Sequence, residues 1–267
     1  MGVNYYYCDE PTVISFSGGR TSAYMLYKTL EAHNGVLPDF VKVCFANTGK
    51  EMMQTLEFVE ECSLTWNVPI VWLEYTKKKN YKVTDYNHAS FNGEPFEQLI
   101  TDRSYLPNGV ARFCTSELKV LTIERYMKDC GYDEFQTMVG IRADEPRRVV
   151  KMRNKKDYLV PLANDNVTKL DIYNFWNKQS FDLQLPNERG VNHMGNCDLC
   201  FLKGTKIKLS ILAEFPEKAD WWIEQEKRIG ATFGKDSPSY ERMQIIATDQ
   251  QGFDFGDDET LPCFCGD

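Results

Sequence analysis

Ser17-Gly18-Gly19-Arg20-Thr21-Ser22 packs two glycines, three hydroxyls and a guanidinium into six positions. Glycine lets a backbone approach a ligand closely, hydroxyls donate hydrogen bonds, and Arg20 adds a permanent charge that can clamp phosphate or sulfate. The same residues also read as a tight strand-to-helix turn capped by serine. Neither the GxxxxGK[ST] spacing of the Walker loop nor the GxGxxG dinucleotide fingerprint is present.

Sulfur makes the second set. The chain has nine cysteines, and its opening residues MGVNYYYCDE carry neither the basic nor the apolar stretch of an export signal. Cysteines in that setting point to metal binding or thiol chemistry rather than structural disulfides. Cys197-x-x-Cys200 places two thiolates within reach of one metal, and Cys114 with the Cys263/Cys265 pair supplies enough sulfur for four ligands. A [4Fe–4S] cluster, a tetrahedral zinc and redox-active or buried thiols all fit this spacing. Cys8, Cys44, Cys62 and Cys130 have apolar or helical neighbours and are expected in the core. His33, His88 and His193 show no ligand spacing, although His193 lies near Cys197.

Charge narrows the partners. With 31 lysines and arginines against 39 aspartates and glutamates the net charge is −8, which disfavours coating nucleic acid by bulk electrostatics. One cationic segment stands out, from Arg142 through Arg147, Arg148, Lys151 and Arg153 to Lys155 and Lys156. A solvated helix face is the plain reading of such a run, and an anion-binding patch the functional one. No stretch of 18 apolar residues is available to span a bilayer, so a cytoplasmic chain without membrane contact is expected.

These sets need elements to position them. Thr12 to Phe16 is a β-branched run that ends at the glycine loop, and helical apolar spacing follows from Ser22 to about Ala32. The pattern repeats with a strand at 40–46 ending in Asn47-Thr48-Gly49, a helix from about Glu51 to Trp66, and a third strand at 69–75. Alternation at this spacing predicts right-handed crossovers and an open, mostly parallel α/β sheet with helices on both faces. Residues 76–109 read as loops with one short helix at 96–100. A helix at 115–128, a strand at 137–140, a short apolar segment at 158–162 and a helix at 169–178 behind Thr168 complete the first unit. Beyond Pro186 the signals are helical, at 206–214 and 218–227. The expected organisation is a nucleotide-binding domain over 1–185 and a helical, cysteine-bearing lobe over 186–267 packed on the same core.

The glycine loop resembles that of the PP-loop superfamily, which joins ATP pyrophosphatases to adenylyl-sulfate and phosphoadenylyl-sulfate (PAPS) reductases. Three further segments fit in order and spacing. Asn47-Thr48-Gly49, with Thr55 on the next helix, resembles the family's adenine- and ribose-contacting segment. Gly140-Ile141-Arg142 with Arg147 and Arg148 resembles its second basic motif, and Pro161-Leu162, Thr168-Lys169, Asp171-Ile172 and Trp176 the segment closing the reductase domain. The set covers roughly residues 12–180 and resembles stand-alone, phage-encoded members of the PAPS reductase-like family.

Two departures matter: Arg20-Thr21 stands where ATP-splitting members carry Lys-Asp, and Asn47 replaces the usual Asp. The resemblance implies an adenine-nucleotide alpha-hydrolase-like fold, a nucleotide ligand (PAPS, APS or ATP) and an iron–sulfur cluster on Cys114, Cys197, Cys200 and Cys263. It further implies sulfate and phosphate held by Arg20, Arg142, Arg147 and Arg148, a nucleophilic thiol at Cys265, and a thioredoxin-like or other electron donor. The competing implication is an ATP-dependent sulfur transferase whose basic segment touches RNA or DNA. A non-catalytic nucleotide-binding protein with a structural metal is the third.

Overall fold

The computed structural model describes residues 3–186, 192–234 and 237–249. Its centre is a six-stranded sheet in the order β4-β3-β2-β1-β5-β6. The strands are β1 Thr12–Phe16, β2 Val41–Asn47, β3 Ile70–Glu74, β4 Lys82–Thr84, β5 Gln136–Val139 and β6 Tyr158–Leu159. All neighbours run parallel except β3 and β4. The chain builds β1, β2 and β3 outward on one side, then returns to place β5 on the other side of β1. Such a reversal opens a crevice at the carboxyl ends of the central strands, where open α/β sheets bind ligands.

Helices α1 Arg20–Ala32 and α2 Met53–Thr65 follow β1 and β2. With α8 Lys169–Trp176 they bury one sheet face, where Phe16, Met25, Leu26, Phe45, Phe58 and Trp176 share a core. Thr168 starts α8 as expected, its N–H donating to Asp171 Oδ2 at 2.8 Å in a capping box. The other face is covered by α5 Leu121–Asp129 through Ile123 and Met127. It is also flanked by α6 Pro146–Arg153 and the short α7 Pro161–Asn164, which pack around Ile141, Val149 and Val160.

A second core holds the C-terminal helices α9 Thr205–Glu214, α10 Ala219–Ile229 and α11 Tyr240–Asp249. It is completed by Phe96, Leu99 and Ile100 of α3 Glu94–Arg103 together with Phe113 and Leu118. Residues 94–118 thus belong physically with the lobe that begins after 186. Sequence patterning gave α3 only half its length because its apolar residues are confined to 95–100 and its last turn, Thr101, Asp102 and Arg103, is polar. It also missed β4 and α11. A three-residue edge strand is too short to show alternation, and α11 buries only Tyr240, Met243 and Ala247 among charged neighbours. Cys8, Cys44 and Cys62 are buried, but Cys130 at the end of α5 is exposed. It caps the carboxyl end of the helix, where the chain turns away at Gly131. Among the described residues no helix is long and apolar enough to cross a membrane.

Candidate active site

The glycine loop is braced by its last serine. Ser22 Oγ donates to Gly19 O at 2.9 Å, accepts from Ser17 N at 3.2 Å and lies 2.9 Å from Ser17 Oγ. α1 starts straight after Gly19 with no side-chain cap and no acid in its first turn, so its first N–H groups and positive dipole end face outward. Gly18 has φ +79°, and a Cβ there would stand 2.6 Å from Thr55 Cγ2. Gly18→Ala should therefore both strain the loop and push it off α2. We expect a stability loss of about 1–3 kcal/mol, read as a lowered Tm in thermal melts. Gly140 serves the same packing, since a Cβ on it would come 3.1 Å from Ser22 Cα.

Two cavities meet at Ser17. The larger, about 1130 Å³, is a channel over the face of β1 and β5 between α5 and α6. Ser15, Ser17, Ala46, Val139 and Gly140 form its floor, and Arg112, Lys119, Arg148 and Lys151 stand on its walls. The smaller, about 320 Å³, is lined by Gly18, Gly19, Thr21, Thr55, Arg142, Lys169 and, from the cysteine-bearing segment, Gly195 and Asn196.

The arginines divide by role. Arg148 is 9% exposed and pairs with Glu145 through Nη1, while its Nε and Nη2 have no hydrogen-bond partner among the described residues. Arg142 Nη1 donates to Thr21 Oγ1 at 3.1 Å and its Nε to Asp144 Oδ1 at 3.0 Å. Arg20, expected to clamp phosphate, has most of its guanidinium engaged elsewhere. Nε and Nη2 bind Asp182 at 2.7 and 2.8 Å, and Nη2 also binds the carbonyls of Leu183 and Leu185, leaving only Nη1 unpartnered. Its main task here is to tie the chain after α8 to the loop, reinforced by Trp176 Nε1 donating to Arg20 O at 3.0 Å. Arg147 is exposed and lines neither cavity. Neighbours on a helix lie about 100° apart, so turning Arg148 inward turns Arg147 out.

Asn47-Thr48-Gly49 does not line the larger cavity; Ala46 does. Asn47 is fully buried opposite Glu74 in the sheet register, donating Nδ2 to Glu74 Oε1 at 2.6 Å and to Ser90 O at 2.7 Å, and accepting from Gly49 N at 3.0 Å. An aspartate here would bring two carboxylates together, which accounts for the amide. Thr48 binds the Glu51 carboxylate through its N–H and hydroxyl, and its Oγ1 lies 3.4 Å from Cys197 Sγ.

This strand end is a bracket for the CxxC turn. Glu51 and Cys197 form an antiparallel bridge, Asp198 N donates to Lys50 O at 2.7 Å, and Lys50 Nζ meets Asp198 Oδ2 at 3.1 Å in a buried pair. Trp222 Nε1 of α10 and Lys203 Nζ bind Asp198 as well. Lys50, Glu51, Asp198 and Trp222 had no signature in the sequence, because only folding brings residues about 150 positions apart into one bracket.

Cys197 and Cys200 interact, and burial pushes the Cys197 thiol well above its ordinary pKa, with the Glu51 carboxylate and Cys200 adding to the rise and Lys119 opposing it. Lys119 lies on a π-helical turn, Ser116–Val120, between α4 Phe113–Thr115 and α5. It pairs with Glu51 at 3.6 Å and lines the channel, so one ammonium links channel and sulfur. Cys114, on α4, packs against the same second core as Cys197. Cys263 and Cys265 lie outside the described residues.

The fold and the loop define an α/β protein with a glycine loop at the switch point of a mostly parallel sheet. Residues 11–184 match the phosphoadenosine phosphosulfate reductase domain, and the chain belongs to that family. It is 34% identical over 204 residues to the uncharacterized nin region protein ORF290 of Escherichia phage lambda, covering 73% of this chain and 67% of that protein. It is 24% identical over 219 residues to the uncharacterized protein MJ0066 of Methanocaldococcus jannaschii, where the match spans 80% of this chain and 41% of the archaeal one.

Proposed function

We propose that the protein binds an adenylyl-sulfate-type nucleotide in the channel and passes its sulfonyl group to a thiol. The observation that carries this reading is Arg148. A buried guanidinium with two N–H edges unpaired costs stability unless an anion completes it. Those edges belong to a channel at the strand ends with volume to spare for a nucleotide, beside the bare start of α1.

In this reading the channel orients the nucleotide and Cys265 supplies the nucleophile, a role carried over from the family resemblance. The thiolate attacks the sulfonyl sulfur, the S–O bond to the nucleotide breaks, and the nucleoside monophosphate leaves with the electron pair. A thioredoxin-like dithiol then attacks the Cys265 sulfur, releasing sulfite and ending as a disulfide. Arg148, Arg142 and the loop N–H groups stabilise the charge left on the phosphate.

For the iron–sulfur cluster the described residues offer a partial fit. Cys197 and Cys200 adjoin, Cys114 packs in the same core, and two buried lysines stand near Cys200 as counter-charge for anionic sulfur, Lys203 in the turn that follows it and Lys208 on α9. No three His, Cys, Asp or Glu side chains among the described residues stand at metal-holding spacing. Cys114, Cys197, Cys200 and Cys263 would hold the cluster, which when bound supplies electron exchange or a carrier for sulfide. The transferase reading asks for a cation track along the channel, whereas Glu124, Asp133, Glu134 and Asp157 stand among its lysines.

Anaerobic protein given adenylyl sulfate and a dithiol should release sulfite, and Cys265→Ser should lower the rate at least about a hundredfold. Iron and sulfide analysis should find about four of each per chain, lost in Cys197→Ser. Sulfite release that ignores Cys265, or ATP cleavage stimulated by RNA or DNA with no sulfite released from adenylyl sulfate, would overturn the reductase reading.

A further inference from the structure

We infer that the start of α9 is built to hold an anionic metal–sulfur group at Cys200, with Lys208 as the buried positioning residue that only such a group satisfies. The inference rests on the metal–sulfur reading above and adds to it a residue outside the cysteines. Lys208 is 2% exposed, yet among the described residues its ammonium makes no hydrogen bond and no ion pair. It stands 5.7 Å from the centroid of the Tyr240 ring, within electrostatic reach of the Cys200 thiol and the Glu226 carboxylate. The acceptors around it are engaged elsewhere. Glu226 Oε1 accepts from Phe233 N at 3.1 Å and Oε2 from Tyr240 N at 2.9 Å, and Leu199 O accepts from the Tyr240 hydroxyl at 2.5 Å. Asp198 takes Trp222 Nε1, Leu199 N and Lys50, and Lys203 Nζ already donates to Asp198 O at 2.9 Å. A buried ammonium without an acceptor costs stability, so the site waits for an anion.

The helix itself points the same way. α9 begins at Thr205 behind Gly204 with no side-chain cap and no acid in its first turn, and its first four residues include Lys206 and Lys208. Lysines there oppose the helix dipole, whose amino end favours anions. The CxxC turn runs straight into this end: Lys203 N donates to Cys200 O at 2.9 Å, and Lys208 N to Gly204 O at 3.1 Å. A zinc ion or a [4Fe–4S] core bound by three or four thiolates keeps a net negative charge. Such a group at Cys200 would accept from the Lys208 ammonium and offset the lysines at the helix start. A pair of neutral thiols would do neither.

The full chain would be compared metal-free and after anaerobic loading with iron and sulfide, or with zinc where only zinc is taken up, as wild type, Lys208→Met and Lys208→Gln. Metal-free Lys208→Met should melt at or above the wild-type Tm, because methionine fills a similar volume without the unpaired charge. Loaded, the same variant should lose its metal to a chelator at least about tenfold faster than wild type, since a hydrogen bond from a charged donor is gone. An iron-loaded variant should also be reduced at a lower potential, because a nearby cation favours the more negative, reduced form. Lys208→Gln keeps a neutral donor and should fall between the two. The opposite signs of the metal-free and loaded effects separate this role from that of a strut. A Lys208→Met protein with its Tm lowered alike in both forms, or one that holds its metal as long as wild type, would overturn the inference and leave the metal–sulfur reading intact. A wild type that takes up neither iron nor zinc would instead overturn that reading, and this inference with it.

Discussion

Arg148→Met is expected to weaken binding of adenylyl sulfate at least about a hundredfold while leaving the Tm unchanged or raising it. Hydrogen bonds to a charged group contribute about 1.5–3 kcal/mol each, so losing two from Nε and Nη2 removes a factor on the order of a hundred or more. On the folding side the same change removes a buried, half-satisfied charge, and methionine fills a similar volume. Glu145 loses its Arg148 partner but keeps Arg142 N at 2.9 Å and Arg142 Nη2 at 3.6 Å. Calorimetric titration and a thermal melt on one preparation check both halves. Binding that survives, or a fall of many degrees in Tm, would show that Arg148 is a structural strut rather than a ligand for the nucleotide.

Asn47→Asp should destabilise the fold by about 3–5 kcal/mol near neutral pH, a large share of the roughly 5–15 kcal/mol that holds a domain together. The substitution replaces a donor to Glu74 and Ser90 by a second carboxyl in a fully buried pair. Like charges at that distance keep one proton bound, so the pair's folded-state pKa lies above the unfolded carboxylate value of about 4. The sign follows. Below pH about 4 both states are protonated and the ionisation penalty is absent. It grows as pH rises through the unfolded value toward the raised folded one, and is constant above that. Urea melts of variant and wild type between pH 4 and 8 should therefore diverge with increasing pH. Parallel curves would mean that Asn47 is needed for its donors alone.

The two substitutions lie at the boundary between what was legible and what was not. The glycine loop, the Gly140 turn and the strand–helix alternation could be read directly. Short strands with β-branched residues, glycines at strand ends and helical periodicity are local signals, each confined to a window of about ten residues. They determined an open, mostly parallel sheet with the glycine loop at the carboxyl end of its first strand. The motif resemblance extended this to the phosphoadenosine phosphosulfate reductase domain that residues 11–184 match.

Tertiary structure decided which of the motif residues line the cavities at the strand ends. Arg147 and Arg148 are adjacent and chemically alike, yet helix phase buries one in the channel and exposes the other. Arg20 belongs to the glycine loop by sequence, but Asp182, 162 residues on, takes most of its guanidinium. Asn47-Thr48-Gly49 is part of the motif set, but Glu74, Ser90 and Cys197 turn it into a bracket for sulfur. Each of these outcomes depends on a partner far along the chain. Local patterning carries the backbone's preferences and the positions of its turns. The pairing of a buried charge or amide depends on which distant group the closed fold brings within about 3 Å of it, and that distance does not exist until the sheet and the lobe have packed.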